Sequence, residues 1–231
     1  MKHAFAALVL LTALTSCGGD PDVVEQDTSA KGDSKKTPQN PKEQGALIAS
    51  GFGQGDVDNE FVGLAAIVEN KSDHAGQTVT VSFNLLDSDG EVIKTESQVD
   101  NFAWVGQQLA VVTETDLESS VVVASVEATL LIEDDGMFEE TGTDLGTSEA
   151  KLVKGEYGGF AAKVKLVNPT SETIKDPGVK VICYDSSKKI AGGGYTYPEL
   201  IAARGTFADE VSVTVSENAK TCTAFLEPSI F

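Results

Sequence analysis

Landmarks recur along this chain at an almost constant spacing, and that repeat limits its fold more than any other feature. Val68-Glu69-Asn70 and Leu166-Val167-Asn168 each end an alternating run and lead into a Ser/Asp/Pro-rich turn, the asparagines 98 positions apart. Phe83-Asn84-Leu85-Leu86-Asp87 and Val181-Ile182-Cys183-Tyr184-Asp185 keep that offset, Asp to Asp. Gly106-Gln107 and Gly205-Thr206 follow at an offset of 99, and Val126–Leu130 matches Cys222–Leu226 with a small gap. Landmarks in one order at a nearly constant offset make a duplicated domain.

Within each copy the period is two. Val79, Val81, Phe83 and Leu85 alternate with Thr80, Ser82 and Asn84, and Val211, Val213 and Val215 with Ser212 and Thr214. Turn signals such as Asp87-Ser88-Asp89-Gly90 and Gly192-Gly193-Gly194 separate such runs, which reads as half-buried antiparallel strands. Each strand has one apolar face that a second sheet must cover, so the expected fold is all-β, two tandem antiparallel β-sandwiches at 46–135 and 148–231, which the family resemblance given below makes immunoglobulin-like. The acidic, Gly/Thr-rich segment 136–147 between them reads as a linker that permits relative motion.

The N-terminus speaks to location. Lys2, the apolar run Ala4–Leu14 and the small residues before Cys17 have the layout of a secretory signal. Leu14-Thr15-Ser16-Cys17 resembles a bacterial lipoprotein signal, which implies cleavage after residue 16 and lipid on Cys17. Two or three acyl chains, at roughly 0.8 kcal/mol per buried CH₂, make a stable anchor. The expected location is therefore extracytoplasmic, lipid-anchored to the cell membrane or outer membrane. Gly18, where an aspartate would retain the protein at an inner membrane, leans toward the outer membrane of a two-membrane cell. Residues 17–45 are polar and read as a disordered tether with a reach of roughly 30 Å. The formal charge of −19 argues against nucleic acid, whose affinity comes from Lys and Arg neutralising phosphates.

An Asn closing one strand, a strand ending in Phe-x-Leu-Tyr-Asp, a Gly hairpin and a strand opened by Gly with Gln or Thr together resemble the FxLYD domain, a small immunoglobulin-like module of exported proteins. Copy one keeps Phe83, Leu85 and Asp87 with Leu86 for Tyr; copy two keeps Tyr184 and Asp185 with Val181 and Cys183 for Phe and Leu. The resemblance implies fold and setting and assigns no reaction and no cofactor.

Few residues are of the types that carry chemistry. Once the signal is removed, His74 is the only histidine; it falls in a turn, and copy two has no counterpart, so it reads as a solvated loop residue and not as a catalytic base. Asp87, Asp89 and Glu91 are weak calcium candidates, because Ca²⁺ wants 6–8 oxygens and Asp-Gly is itself a preferred hairpin corner. Cys183 and Cys222 share the inward parity of Leu85 and Val126, which leaves either a disulfide between neighbouring strands or two buried thiols. Phe102, Trp104, Tyr195 and Tyr197 cluster outside the regular alternation and read either as plugs for the core and domain seam or as a binding surface.

The expected function is a non-enzymatic envelope protein that presents tandem sandwiches to a protein or glycan, or that acts as an accessory or spacer subunit. The alternative is a ligand- or calcium-binding sensing module. The sequence names no individual partner and no oligomeric state.

Overall fold

The alternating runs become fourteen strands in a computed structural model that describes residues 44–55, 60–134, 143–155 and 159–228. The signal segment, Cys17, the tether up to residue 43 and linker residues 136–142 lie outside the described residues. In the first repeat these are β1 (Gly45–Gln54), β2 (Phe61–Asn70), β3 (Thr78–Leu86), β4 (Val92–Asn101), β5 (Gln108–Asp116) and β6 (Ser125–Glu133). One antiparallel sheet has the order β1-β2-β5 and the other β4-β3-β6. Val62, Leu64, Ala66 and Val68 of β2 meet Val79, Val81, Phe83 and Leu85 of β3 in the core between them.

The second repeat uses β7 (Thr147–Lys154), β8 (Phe160–Val167), β10 (Gly178–Tyr184), β11 (Ile190–Thr196), β13 (Thr206–Val215) and β14 (Thr221–Glu227), with a two-residue ladder between β9 (Ile174–Lys175) and β12 (Leu200–Ile201). Its two layers, β7-β8-β13 and β11-β10-β14, are also joined at their edges, β14 to β7 and β11 to β13, so the sandwich closes as a barrel. Gly192 and Gly193 make the β11–β13 contact, pairing with Val215 and Thr214. In the first repeat β4 and β5 stay unpaired and side chains cross the gap: Lys94 Nζ donates to the Asp116 carbonyl at 2.6 Å, and Thr115 Oγ1 to Glu96 Oε2 at 3.1 Å.

The recurring Asn and Asp are fold residues. Asn70 Nδ2 donates to the carbonyls of His74 and Trp104, and its Oδ1 accepts from Ser72 N and Oγ. Asn168 does the same with Glu172, Ala202 and Thr170, adding a bond to Ile201 O. Each amide thereby ties the loop that follows its own strand to the loop before β5 or β13, and both are buried. Asp87 Oδ1 accepts from the backbone N–H of Asp89 and Glu91, and Asp185 Oδ1 from Ser187 and Lys189. These bonds close matching β-hairpins around Gly90 and Lys188, both at positive φ.

The equivalences correct one offset. Asn70 N donates to Gln107 O and Asn168 N to Gly205 O, so Gln107 corresponds to Gly205 and the spacing stays at 98 where the glycines alone suggest 99. Gly106 therefore corresponds to Arg204, and both have positive φ.

The segment expected to permit relative motion joins two repeats that share a buried seam. The outer face of β1-β2-β5 lies on the outer face of β11-β10-β14, with Ala65, Ala110 and Val112 against Ile182, Ile190 and Phe225. Small residues permit the approach: a Cβ on Gly51 would come within 2.6 Å of the Ile190 carbonyl oxygen. Gln44 and Gly45, at the end of the tether segment, are buried in the first sandwich, and Leu145, within the linker segment, is part of the second core.

The seam is heterologous, joining different faces of the two repeats. The cross-sheet row Gly51–Ala65–Val112 of the first repeat corresponds to Lys151–Lys163–Glu210 in the second. The row Tyr195–Lys180–Phe225 corresponds to Ser97–Ser82–Thr129 in the first. Apart from Lys180, the positions of these rows that meet at the seam are apolar, aromatic or small, and their counterparts in the other repeat are polar or charged.

Candidate functional site

Asn70 fixes the turn that carries the only tryptophan of the chain, by bonding the Trp104 carbonyl at 3.1 Å. Gln107 N donates to the same oxygen at 3.4 Å. The partly exposed indole borders a cleft of about 320 Å³ at the edge of the seam, opposite Asp144, Gly146, Phe225 and Glu227 of the second repeat, with Gln108 beside it. Asp144 Oδ1 accepts from Gly146 N at 2.8 Å, which holds that wall in place.

Glu227 also borders a second, smaller cavity of about 110 Å³, lined by Asp100, Lys180 and Tyr197 among others. Tyr197 packs against Tyr195 beside the cavity, with ring centroids 5.6 Å apart and tilted by 58°. Both rings are about half exposed. Trp104 and the tyrosine pair thus flank one buried carboxylate. Aromatic faces with polar groups nearby suit a ligand that is amphipathic or built of rings.

Phe102 does not belong to this surface. It is fully buried in the first core beside Leu109 and Ile132, and its backbone N–H donates to Gln77 O, so the reading of Phe102 as a binding residue is corrected to a core plug. The calcium candidates are accounted for by the hairpin, in which Asp87 is committed to two backbone N–H groups and Gly90 makes the turn. Among the described residues, no group of three or more His, Cys, Asp or Glu is placed to hold a metal ion. His74 is less solvated than its loop suggests: Nδ1 is 3.0 Å from Asp73 Oδ1 and Nε2 is 3.4 Å from Asp134 Oδ2.

Cys183 and Cys222 sit directly opposite each other on β10 and β14, as Leu85 and Val126 do on β3 and β6, and they are joined by a disulfide. The bond lies in the second core, and Cys222 also borders an open groove with Lys151, Lys188 and Lys220.

Sequence reasoning missed the charged centre of the site. Lys180 occupies an outward-facing position of β10, where alternation implies a solvated lysine, yet it is buried with Asp100 and Glu227. A signal was present in Ile182 on the same face and in the near-continuous apolar run Val62–Val68, which marks a strand covered on both sides.

Compared with models of known protein families the chain matches none, and a search of curated proteins finds no match.

Proposed function

We propose that this chain is a non-enzymatic, lipid-anchored protein of the cell envelope whose two FxLYD-type sandwiches act as one presenting body for an envelope protein or glycan. Cys17 holds the body at the membrane, the polar segment to residue 45 spaces it from the surface, and the Trp104 cleft makes the contact. One observation carries the reading: the single tryptophan is partly exposed on a turn pinned by Asn70, at a cleft that needs both repeats to exist. Rigid aromatics on fixed turns are favoured anchors because little conformational freedom is lost on binding.

The charge distribution fits the assignment. Residues 46–135 hold 17 acidic and two basic side chains, whereas 148–231 hold ten of each. The first repeat is therefore repelled by anionic surfaces and the second is not, while the cleft itself, with Asp144 and Glu227 in its wall and no Lys or Arg, favours a neutral or cationic group.

The test is in-cell crosslinking of the native chain followed by affinity capture and mass spectrometry, with wild type, Cys17→Ser and Trp104→Ala compared. A recurrent partner lost in Trp104→Ala, with an unchanged melting curve, is the expected result. The same partners recovered from both would overturn the cleft as the contact, and retention of Cys17→Ser in the membrane fraction would overturn the anchor.

A further inference from the structure

The seam between the repeats holds one more carboxylate than its cation can balance. Lys180 Nζ lies 2.7 Å from Asp100 Oδ1 and 2.7 Å from Glu227 Oε2, and the three side chains are 2%, 3% and 8% exposed. Asp100 stands near the end of β4 in the first repeat, whereas Lys180 and Glu227 come from β10 and β14 in the second. Glu227 Oε1 also accepts a bond from the Ala110 backbone N–H of β5 at 3.2 Å, so this carboxyl touches both repeats.

Fully ionised, the cluster would keep one net negative charge away from water, which is costly. Asp100 Oδ2 is buried without a hydrogen-bond partner, and Asp100 borders the 110 Å³ cavity. The other titratable groups around the cluster are Asp176 just before β10, Tyr195 on β11, Tyr197 just after it, and Asp144 ahead of β7. None of them supplies a second positive charge.

We propose that Lys180, Asp100 and Glu227 form a proton-operated latch between the repeats: one proton taken up by the Asp100–Glu227 carboxylate pair balances the cluster and closes the seam, and its loss loosens the seam. Burial raises the Glu227 carboxyl to about 7, with Asp100 adding to the rise and Lys180 opposing it. Lys180 stays charged throughout; burial pulls it down, but Glu227 and Asp100 outweigh that and hold it above its ordinary value. A carboxyl raised in the folded chain binds its proton more tightly there than when unfolded. Its contribution is complete below the ordinary glutamate range and is lost as pH rises through about 7. For a single site this makes the unfolding constant about tenfold larger at pH 8 than at pH 6.

The experiment is urea unfolding of the full chain at pH 6 and pH 8, followed by Trp104 fluorescence, because the indole borders the same carboxylate. Wild type is expected to show the tenfold difference. Asp100→Asn and Glu227→Gln each leave Lys180 with one carboxylate, so in both the difference should shrink below about twofold. The two changes sit in different repeats, and either one, if folded, decides the matter. His74→Asn is the control and should keep the tenfold difference. A pH effect that survives in Asp100→Asn or Glu227→Gln, disappears with His74→Asn, or is absent from wild type overturns the latch.

Discussion

Lys180 of the second repeat and Asp100 of the first meet at 2.7 Å across the seam, a buried contact between residues 80 positions apart. A pair of that kind holds because each ion stands in for the water the other has lost. Lys180→Met removes the only cation and leaves Asp100 and Glu227 buried together. The expected cost is about 3–5 kcal/mol, the usual result of breaking a buried pair from one side. Chemical denaturation at pH 8 measures it, and a loss below about 1 kcal/mol would show that water reaches the cluster.

Gly51 tests the closeness of the seam. Its added Cβ would meet the Ile190 backbone carbonyl, which cannot swing aside as a side chain could. Gly51→Ala should destabilise the chain by about 1–3 kcal/mol through overpacking. Gly90→Ala meets no atom within 4 Å and reports only the strain of its positive φ, so the two changes separate crowding from backbone conformation. Equal effects on exchange protection of β2 and β11 in the two variants would argue against close contact.

Asn168→Ala deletes five hydrogen bonds and leaves the Thr170 backbone N–H without its acceptor, while the Glu172 carbonyl keeps Thr170 Oγ1 and the Ala202 carbonyl keeps Gly205 N–H. Leaving buried polar groups unsatisfied costs about 1–3 kcal/mol. Asn70→Ala should behave alike, since its network has the same form. Thermal melts of both variants are the check, and a neutral result in either would demote that asparagine from staple to bystander.

Reduction of Cys183–Cys222 tests coupling as well as the bond. The bridge closes a sequence separation of 39, for which the chain-entropy model gives roughly 4 kcal/mol. Because the seam ties the repeats together, the intact protein should unfold in one transition. Reduction should lower that transition for first-repeat amides too. Hydrogen exchange resolves it: if only β7 to β14 lose protection, the repeats unfold independently.

Much of this architecture is legible in the sequence. Period-two alternation is local, and it places Val79, Val81, Phe83 and Leu85 on one face whatever lies opposite. Recurrence at 98 marks Asp87 with Asp185, whose side chains bond within a few residues of their own positions, and Asn70 with Asn168, which add a second loop 33–34 residues on. Register repeats with the landmarks: Cys183 faces Cys222 on β10 and β14 as Leu85 faces Val126 on β3 and β6, with the inward face of each strand set by its apolar pattern. Short-range geometry is written in short-range pattern.

The seam is a different matter. Alternation says which residues leave the core of their own sandwich, and it is silent on whether a second body covers them. Ala65, Ile182 and Phe225 face outward by pattern and inward by packing, and only the docking of the two repeats decides between these. Lys180, Asp100 and Glu227 acquire their meaning at that moment, from low dielectric and mutual distance rather than from spacing along the chain. The same holds for Trp104, whose cleft has one wall in each repeat, whereas Phe102 is buried by the first sandwich alone. What the sequence determined by itself was each sandwich, since its strands and turns rest on local preference. What the tertiary structure alone decided was the contact between them, because desolvation belongs to surfaces that meet.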